Sequence, residues 1–231
     1  MKLEDGWLIA EEGDPVIHHI PTTRTCKLDT PKPLGIVHHY TGGVGNDLAR
    51  NLAERIRTYD RKVDRPASWH LIIAKSGEIF QSASLLRGTW HIGRNGTVGG
   101  KPWKNVNRVT IGIELENAGR LRRVGDRYYC HPYWKNPDAD PSARVPNPKL
   151  MIDSSRAKRF PGVGVFETFT TAQEETAARL LSLCVGEFGW DKAACSHNHS
   201  DFDSPRKEDC GPAWNRDCLS KILGKVFPGV G

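Results

Sequence analysis

The sequence has no long apolar run. No segment approaches the roughly 20 apolar residues that a helix needs to cross a membrane. The opening Met-Lys-Leu-Glu-Asp-Gly-Trp-Leu-Ile-Ala places two acids where the apolar core of a signal peptide would start. The expectation is synthesis in the cytoplasm without a signal peptide, and no membrane insertion. None of the six cysteines (Cys26, Cys130, Cys184, Cys195, Cys210 and Cys218) is spaced as Cys-x-x-Cys, which argues against a zinc knuckle or a thioredoxin-like motif. Reduced thiols are expected. The 33 Lys and Arg are interleaved with 27 Asp and Glu rather than gathered in a block, so nothing points to nucleic acid as a partner. There is no His-Glu-x-x-His helix of a zinc peptidase, no internal repeat and no low-complexity linker.

What is present is enough for one domain with a real core plus a sizeable insertion: 231 residues, 38% of them hydrophobic. The net charge of +6 favours polyanionic partners. Residues 1–33 are polar and proline-bearing and read as an irregular lead-in. Leu34–His39 is short, apolar and β-prone, a strand. Leu48, Leu52, Ile56 and Tyr59 recur at helical spacing over 46–59, with Asn46 as N-cap. Ser68–Gln81 holds two β-prone runs around Lys75-Ser-Gly77, a hairpin signal. Val109–Glu116 alternates, with Ile111, Ile113 and Leu115 on one face and Gly112, Glu114 and Glu116 on the other. Residues 119–165 lack a clear period and read as a long irregular insertion. Thr171-Ala-Gln-Glu174 offers a capping box to a helix whose stripe is Ala177, Leu180, Leu181, Cys184, Val185 and Phe188, stopped by Gly189. A short helix is expected within 211–223, around Trp214, Leu219 and Ile222. Strands interspersed with helices give a mixed α/β domain.

Metal-capable side chains concentrate at His38-His39, at His197-x-His199 and at Asp209-Cys210. Zinc takes nitrogen, sulfur or carboxylate oxygen, usually four ligands in a tetrahedron, and a catalytic site leaves one position for water. Two histidines and one carboxylate would meet that requirement. Hydrolysis of an amide also needs a carboxylate to accept a proton and a cation to stabilise the oxyanion, for which Glu114 and Lys207 are available.

Five segments carry a resemblance. They are Ile36-Val-His-His-Tyr-Thr41, Ser68-Trp-His-Leu-Ile-Ile73 with its hairpin, Trp90-His-Ile-Gly93, Ile111-Gly-Ile-Glu-Leu-Glu116, and His199 through Arg206-Lys-Glu-Asp-Cys-Gly-Pro212. In this order the chain is similar to the type 2 N-acetylmuramoyl-L-alanine amidases, which include phage endolysins, bacterial cell-wall recycling amidases and animal peptidoglycan recognition proteins. The resemblance implies a single mixed central β-sheet flanked by helices and one zinc amidase domain over 34–223, carrying the 119–165 insertion, with no separate cell-wall-binding domain. It implies Zn²⁺ held by His38, His199 and Asp209, with His197 and Cys210 as rivals for the last two. It makes Glu114 the base and Lys207 the oxyanion stabiliser, and lines the substrate cleft with His39, Trp90 and His91. One branch of phage lytic amidases has a catalytic tyrosine where Trp69 stands. Trp69 cannot exchange protons, so the acid–base work falls to Glu114. Glu116, about 7 Å further along the strand, is second choice.

The implied reaction is hydrolysis of the bond between N-acetylmuramic acid and L-alanine, by a monomer acting on peptidoglycan or muropeptide. The implied role is a phage or prophage endolysin that reaches periplasmic peptidoglycan after holin release. Alternatives are a cytoplasmic enzyme recycling anhydro-muropeptides and, less favoured, a peptidoglycan-binding protein without catalysis.

Overall fold

A computed structural model of the chain describes residues 1–58, 67–130, 147–192, 194–204 and 206–214. Along the chain the strands are β1 (Lys2–Glu4), β2 (Trp7–Ile9), β3 (Ile17–His19), β4 (Gly35–Tyr40), β5 (Leu71–Ile73), β6 (Ile79–Gln81), β7 (Gly96–Val98), β8 (Lys101–Trp103), β9 (Thr110–Leu115), β10 (Arg120–Val124), β11 (Arg127–Cys130), β12 (Met151–Ile152), β13 (Ala157–Phe160), β14 (Gly164–Glu167) and β15 (Ser196–Asn198). The helices are α1 (Leu48–Thr58), α2 (Thr171–Phe188) and α3 (Ser200–Asp203).

Six strands form the central sheet in the order β15-β4-β9-β5-β6-β3. β15, β4, β9 and β5 are parallel, β5 and β6 form the expected antiparallel hairpin, and β3 joins parallel to β6. The sheet is therefore single and mixed, as anticipated. Because side chains alternate across a strand, its two faces differ. Ile36, Ile111, Ile113, Leu115, Leu71 and Ile73 bury against the stripe Ala177, Leu180, Leu181 and Cys184 of α2. On the opposite face Ile72 and Phe80 pack on Ala49, Ala53 and Ile56 of α1. Each fully buried aliphatic side chain here contributes about 1.5–3 kcal/mol.

Helix boundaries follow from their caps. Thr170, one residue before the expected position, caps α2: its hydroxyl accepts the Gln173 N–H at 3.1 Å, and the Gln173 side-chain oxygen accepts the Thr170 N–H at 3.1 Å. Gly189 ends the helix at φ 65°, the left-handed conformation that glycine adopts without strain. At α1 the first helical carbonyl is that of Asp47, which accepts from the Asn51 N–H at 2.9 Å, so Asp47 stands where Asn46 was expected. Tyr59, Leu219 and Ile222 lie outside the described residues, so most of the helix expected over 211–223 does too.

In two segments expected to be irregular, the described residues form strands. The lead-in supplies the β1–β2 hairpin and the edge strand β3. The excursion supplies a second, five-stranded antiparallel sheet in the order β12-β11-β10-β14-β13. Its central turn is Gly125-Asp126 between the paired Val124 and Arg127, a two-residue hairpin signal that dense arginines flank and mask. Fully buried Glu167 pins this sheet to the domain, pairing with Lys75 and Arg156 at 3.0 Å each and accepting the Ala118 N–H.

Candidate active site

The site lies on the α1 side of the sheet, at the carboxyl ends of β4 and β9. Strand register sets it up. His39 pairs with Glu114 and Val37 with Gly112, whereas His38 pairs with Ile113. His39 and Glu114 therefore point to one face and His38 to the other. β15 runs parallel beside β4 and hands over to His199, whose N–H donates to the His38 carbonyl at 3.2 Å. The chain then turns through α3 and returns, the Asp209 carbonyl accepting the Ser200 N–H at 3.0 Å. Two loop ends thus place His199 and Asp209 over His39.

His39, His199 and Asp209 converge as a group able to hold a metal ion. His39 Nδ1 is 3.0 Å from His199 Nδ1 and 3.1 Å from Asp209 Oδ2, and His199 Nδ1 is 2.9 Å from the same oxygen. A tetrahedral zinc with bonds of about 2.0–2.1 Å sets its ligands about 3.3 Å apart, so the three atoms need to spread by only a few tenths of an ångström. Three buried acceptor-capable atoms facing one another fit a cation between them. Burial holds His39 down at about 4, outweighing the opposing pull of the Asp209 carboxylate. At Asp209 burial pushes the other way, but contacts with His199 and His39 overcome it and keep the carboxylate anionic well below its usual range. The donor set, two imidazoles and one carboxylate, is one zinc uses.

His38 is not part of this group, and the expectation that it ligates is corrected. Its ring lies on the α2 side, 5.2 Å from Trp214, with Nε2 3.1 Å from Ser196 Oγ. His39, expected beside the metal, takes its place. Asp209 is in this group and Cys210 is not, being buried in the apolar core. His199 is in this group and His197 is not, its ring packing on Phe202 at 5.3 Å.

Glu114 is 4% exposed, and its Oε2 has no hydrogen-bond partner among the described residues. Burial, reinforced by the Asp209 charge and opposed by Lys207, raises its carboxyl well above the ordinary range. Glu116 sits apart, near the Lys75 N–H at 3.4 Å, in a smaller hollow with Asp47 and Arg50. His39, Glu114, Lys207, Asp209, Tyr40 and Trp69 line one cleft of about 530 Å³. Trp90, 42% exposed, stands on the rim of the adjoining hollow. His91 lines both the cleft and the adjoining hollow, as expected, although it is only 5% exposed.

Sequence reasoning missed the brace behind Lys207 and Asp209. Glu208 between them is gripped by Arg120, Nε at 2.9 Å and Nη2 at 2.6 Å, and receives the Tyr40 hydroxyl at 3.4 Å. The contact joins β10 to the ligand loop across 88 residues, and no local pattern announces it.

A family profile described as N-acetylmuramoyl-L-alanine amidase matches residues 29–212. The chain belongs to the type 2 N-acetylmuramoyl-L-alanine amidases. A search of curated proteins gives no match. Among solved structures, the amidase resembles a selenomethionine derivative of AmpD with TM-score 0.60 and 19% identity, over 96% of this chain and 99% of that one. It resembles AmiD from E. coli, a complex with the substrate anhydro-N-acetylmuramic acid-L-Ala-D-γ-Glu-L-Lys, with TM-score 0.53 and 20% identity over 87% of this chain and 61% of that one. AmpDh3 from Pseudomonas aeruginosa, in complex with anhydromuramic pentapeptide, gives 0.51 and 17% over 94% and 67%. At these identities the likeness is one of fold.

Proposed function

We propose that this peptidoglycan amidase is zinc-dependent, with His39, His199 and Asp209 as its protein ligands, and that it cleaves the amide between N-acetylmuramic acid and L-alanine. The observation that carries the reading is the convergence of these three side chains beside a buried carboxylate with an unpartnered oxygen. Zinc, when bound, supplies a Lewis acid and a water acidic enough to act as nucleophile near neutral pH.

The remaining work falls to the chain's own residues. Glu114 Oε2 accepts the proton of the attacking water and delivers it to the leaving amine of L-alanine; its raised affinity for protons suits holding one between the two steps. Lys207 presents an ammonium to the cleft, where it stabilises the negative charge developing on the carbonyl oxygen. Trp90 on the rim offers an apolar face to the substrate. The +6 net charge favours approach to an anionic wall.

For the biological role we propose a phage or prophage endolysin, made in the cytoplasm and acting on the wall once a holin opens the membrane. A second reading, trimming of soluble anhydro-muropeptides, is favoured by the likeness to the AmiD and AmpDh3 folds, whose complexes hold such ligands. Digestion of purified sacculi with and without chelator tests the chemistry. The expected result is new L-alanine N-termini without new reducing sugar ends, abolished by chelation. Comparing rates on sacculi and on free anhydro-muropeptides assigns the role, and a rate confined to the soluble substrate excludes the endolysin.

A further inference from the structure

Beneath His39 a line of buried polar groups runs back into the sheet. His39 Nε2 is 3.0 Å from His91 Nδ1, His91 Nε2 is 3.3 Å from Thr110 Oγ1, and Thr110 Oγ1 is 2.7 Å from the Val106 carbonyl oxygen. Each link needs one hydrogen, and the far end decides where all of them sit. A carbonyl cannot donate, so the Thr110 hydroxyl gives its only proton to Val106. Thr110 Oγ1 then accepts, and the proton of the His91–Thr110 link belongs to His91 Nε2. A neutral imidazole carries a single N–H, so His91 Nδ1 is an acceptor. His39 must donate from Nε2, which leaves its Nδ1 as a bare lone pair facing His199 and Asp209.

From this we infer that His91 is a positioning residue that fixes the tautomer of His39 for metal binding. The inference rests on the zinc-site reading above. Ligating histidines usually donate their second N–H to a carboxylate or carbonyl; here an imidazole, oriented by Thr110, is the acceptor. The surroundings hold that ring in place. The Asn107 side-chain oxygen accepts the N–H groups of both His91 and Ile92, at 3.1 and 2.7 Å. A Cβ at Gly112 would lie 2.5 Å from His91 Cγ, so only glycine there leaves room for the imidazole. This accounts for a glycine on the same strand face as Glu114.

The test uses the full chain. Nitrogen-15 NMR of the histidine rings in the zinc-free protein should show His91 and His39 both protonated at Nε2; His91 protonated at Nδ1 overturns the inference. Zinc affinity, measured by competition with a chelator of known affinity, should fall about 10- to 100-fold in His91→Leu. It should recover to within a few-fold of wild type in His91→Asn, whose side-chain oxygen can accept from His39. If His91→Leu does not fold, Thr110→Val keeps the shape and releases the His91 proton, and its zinc affinity should drop several-fold; an unchanged affinity overturns the inference. A wild-type protein that binds no zinc refutes the metal-site reading instead, while the ring tautomers of that same protein still decide the relay.

Discussion

The two faces of the central sheet are made from alternate residues of the same strands, and they differ in kind. The face under α2 is dry and aliphatic: Ile36, Ile111, Ile113 and Leu115 meet Ala177, Leu180, Leu181 and Cys184. Toward the carboxyl ends of β4 and β9, the opposite face buries His39, His91 and Glu114. Burial acts against charge on all three, lowering the two imidazoles and raising the carboxyl. The first face supplies stability, and the second keeps chemically poised groups in a state that water would not permit. Adjacent residues, His38 and His39, fall on opposite sides of that division.

Substitutions in that pair should have the most unequal effects. His39→Ala should abolish zinc binding and lower activity more than about 10⁴-fold, because the acidified water is lost with the ion. His38→Ala should retain one zinc and activity within a few-fold. Zinc content by mass spectrometry and the rate on sacculi check both. Glu114→Gln should keep the metal and lose about 10²–10⁴ in kcat, since only proton transfer is removed. Lys207→Met should also keep the metal and lose about 10²–10³ in kcat, the usual effect of removing one oxyanion donor.

On the other face the outcome inverts. Leu180→Ala should cost about 2–5 kcal/mol in urea unfolding through the cavity it leaves, with zinc affinity unaltered. The smallest effect is in acid. Burial holds His70 at about 4 against an ordinary 6.5, outweighing its hydrogen bond to the Arg87 carbonyl. Between those values the unfolded chain binds a proton that the folded chain does not. Stability present above pH 6.5 is therefore lost as the pH falls toward 4, by up to about 3 kcal/mol at this group. Urea midpoints of the zinc-free protein from pH 7 to 4 measure the loss, which should shrink in His70→Asn.

Much of this was legible in the sequence, and the failures have physical causes. The alternation in Val109–Glu116 separated Ile111 and Ile113 from Gly112 and Glu114 correctly, because one set is apolar and the other is not. β4 carries no such contrast: Ile36 and His38 on one face mirror Val37 and His39 on the other, so the choice of ligand rested on pairing with β9, which is not a local property. His199 and Asp209 were readable because they share a short motif with Lys207. The Arg120–Glu208 brace and the His91 relay join residues far apart in the chain, and the arginine-rich β10 and β11 hid their alternation. Even so, Gly125-Asp126 marked the turn between them.

One ion is expected on the His39 side of β4. An anomalous difference map collected at the zinc edge on crystals of the zinc-loaded amidase tests it directly. The expected result is a single peak about 2.0–2.2 Å from His39 Nδ1, His199 Nδ1 and an Asp209 carboxylate oxygen. A peak on the α2 side beside His38, or none between these three side chains, would contradict it.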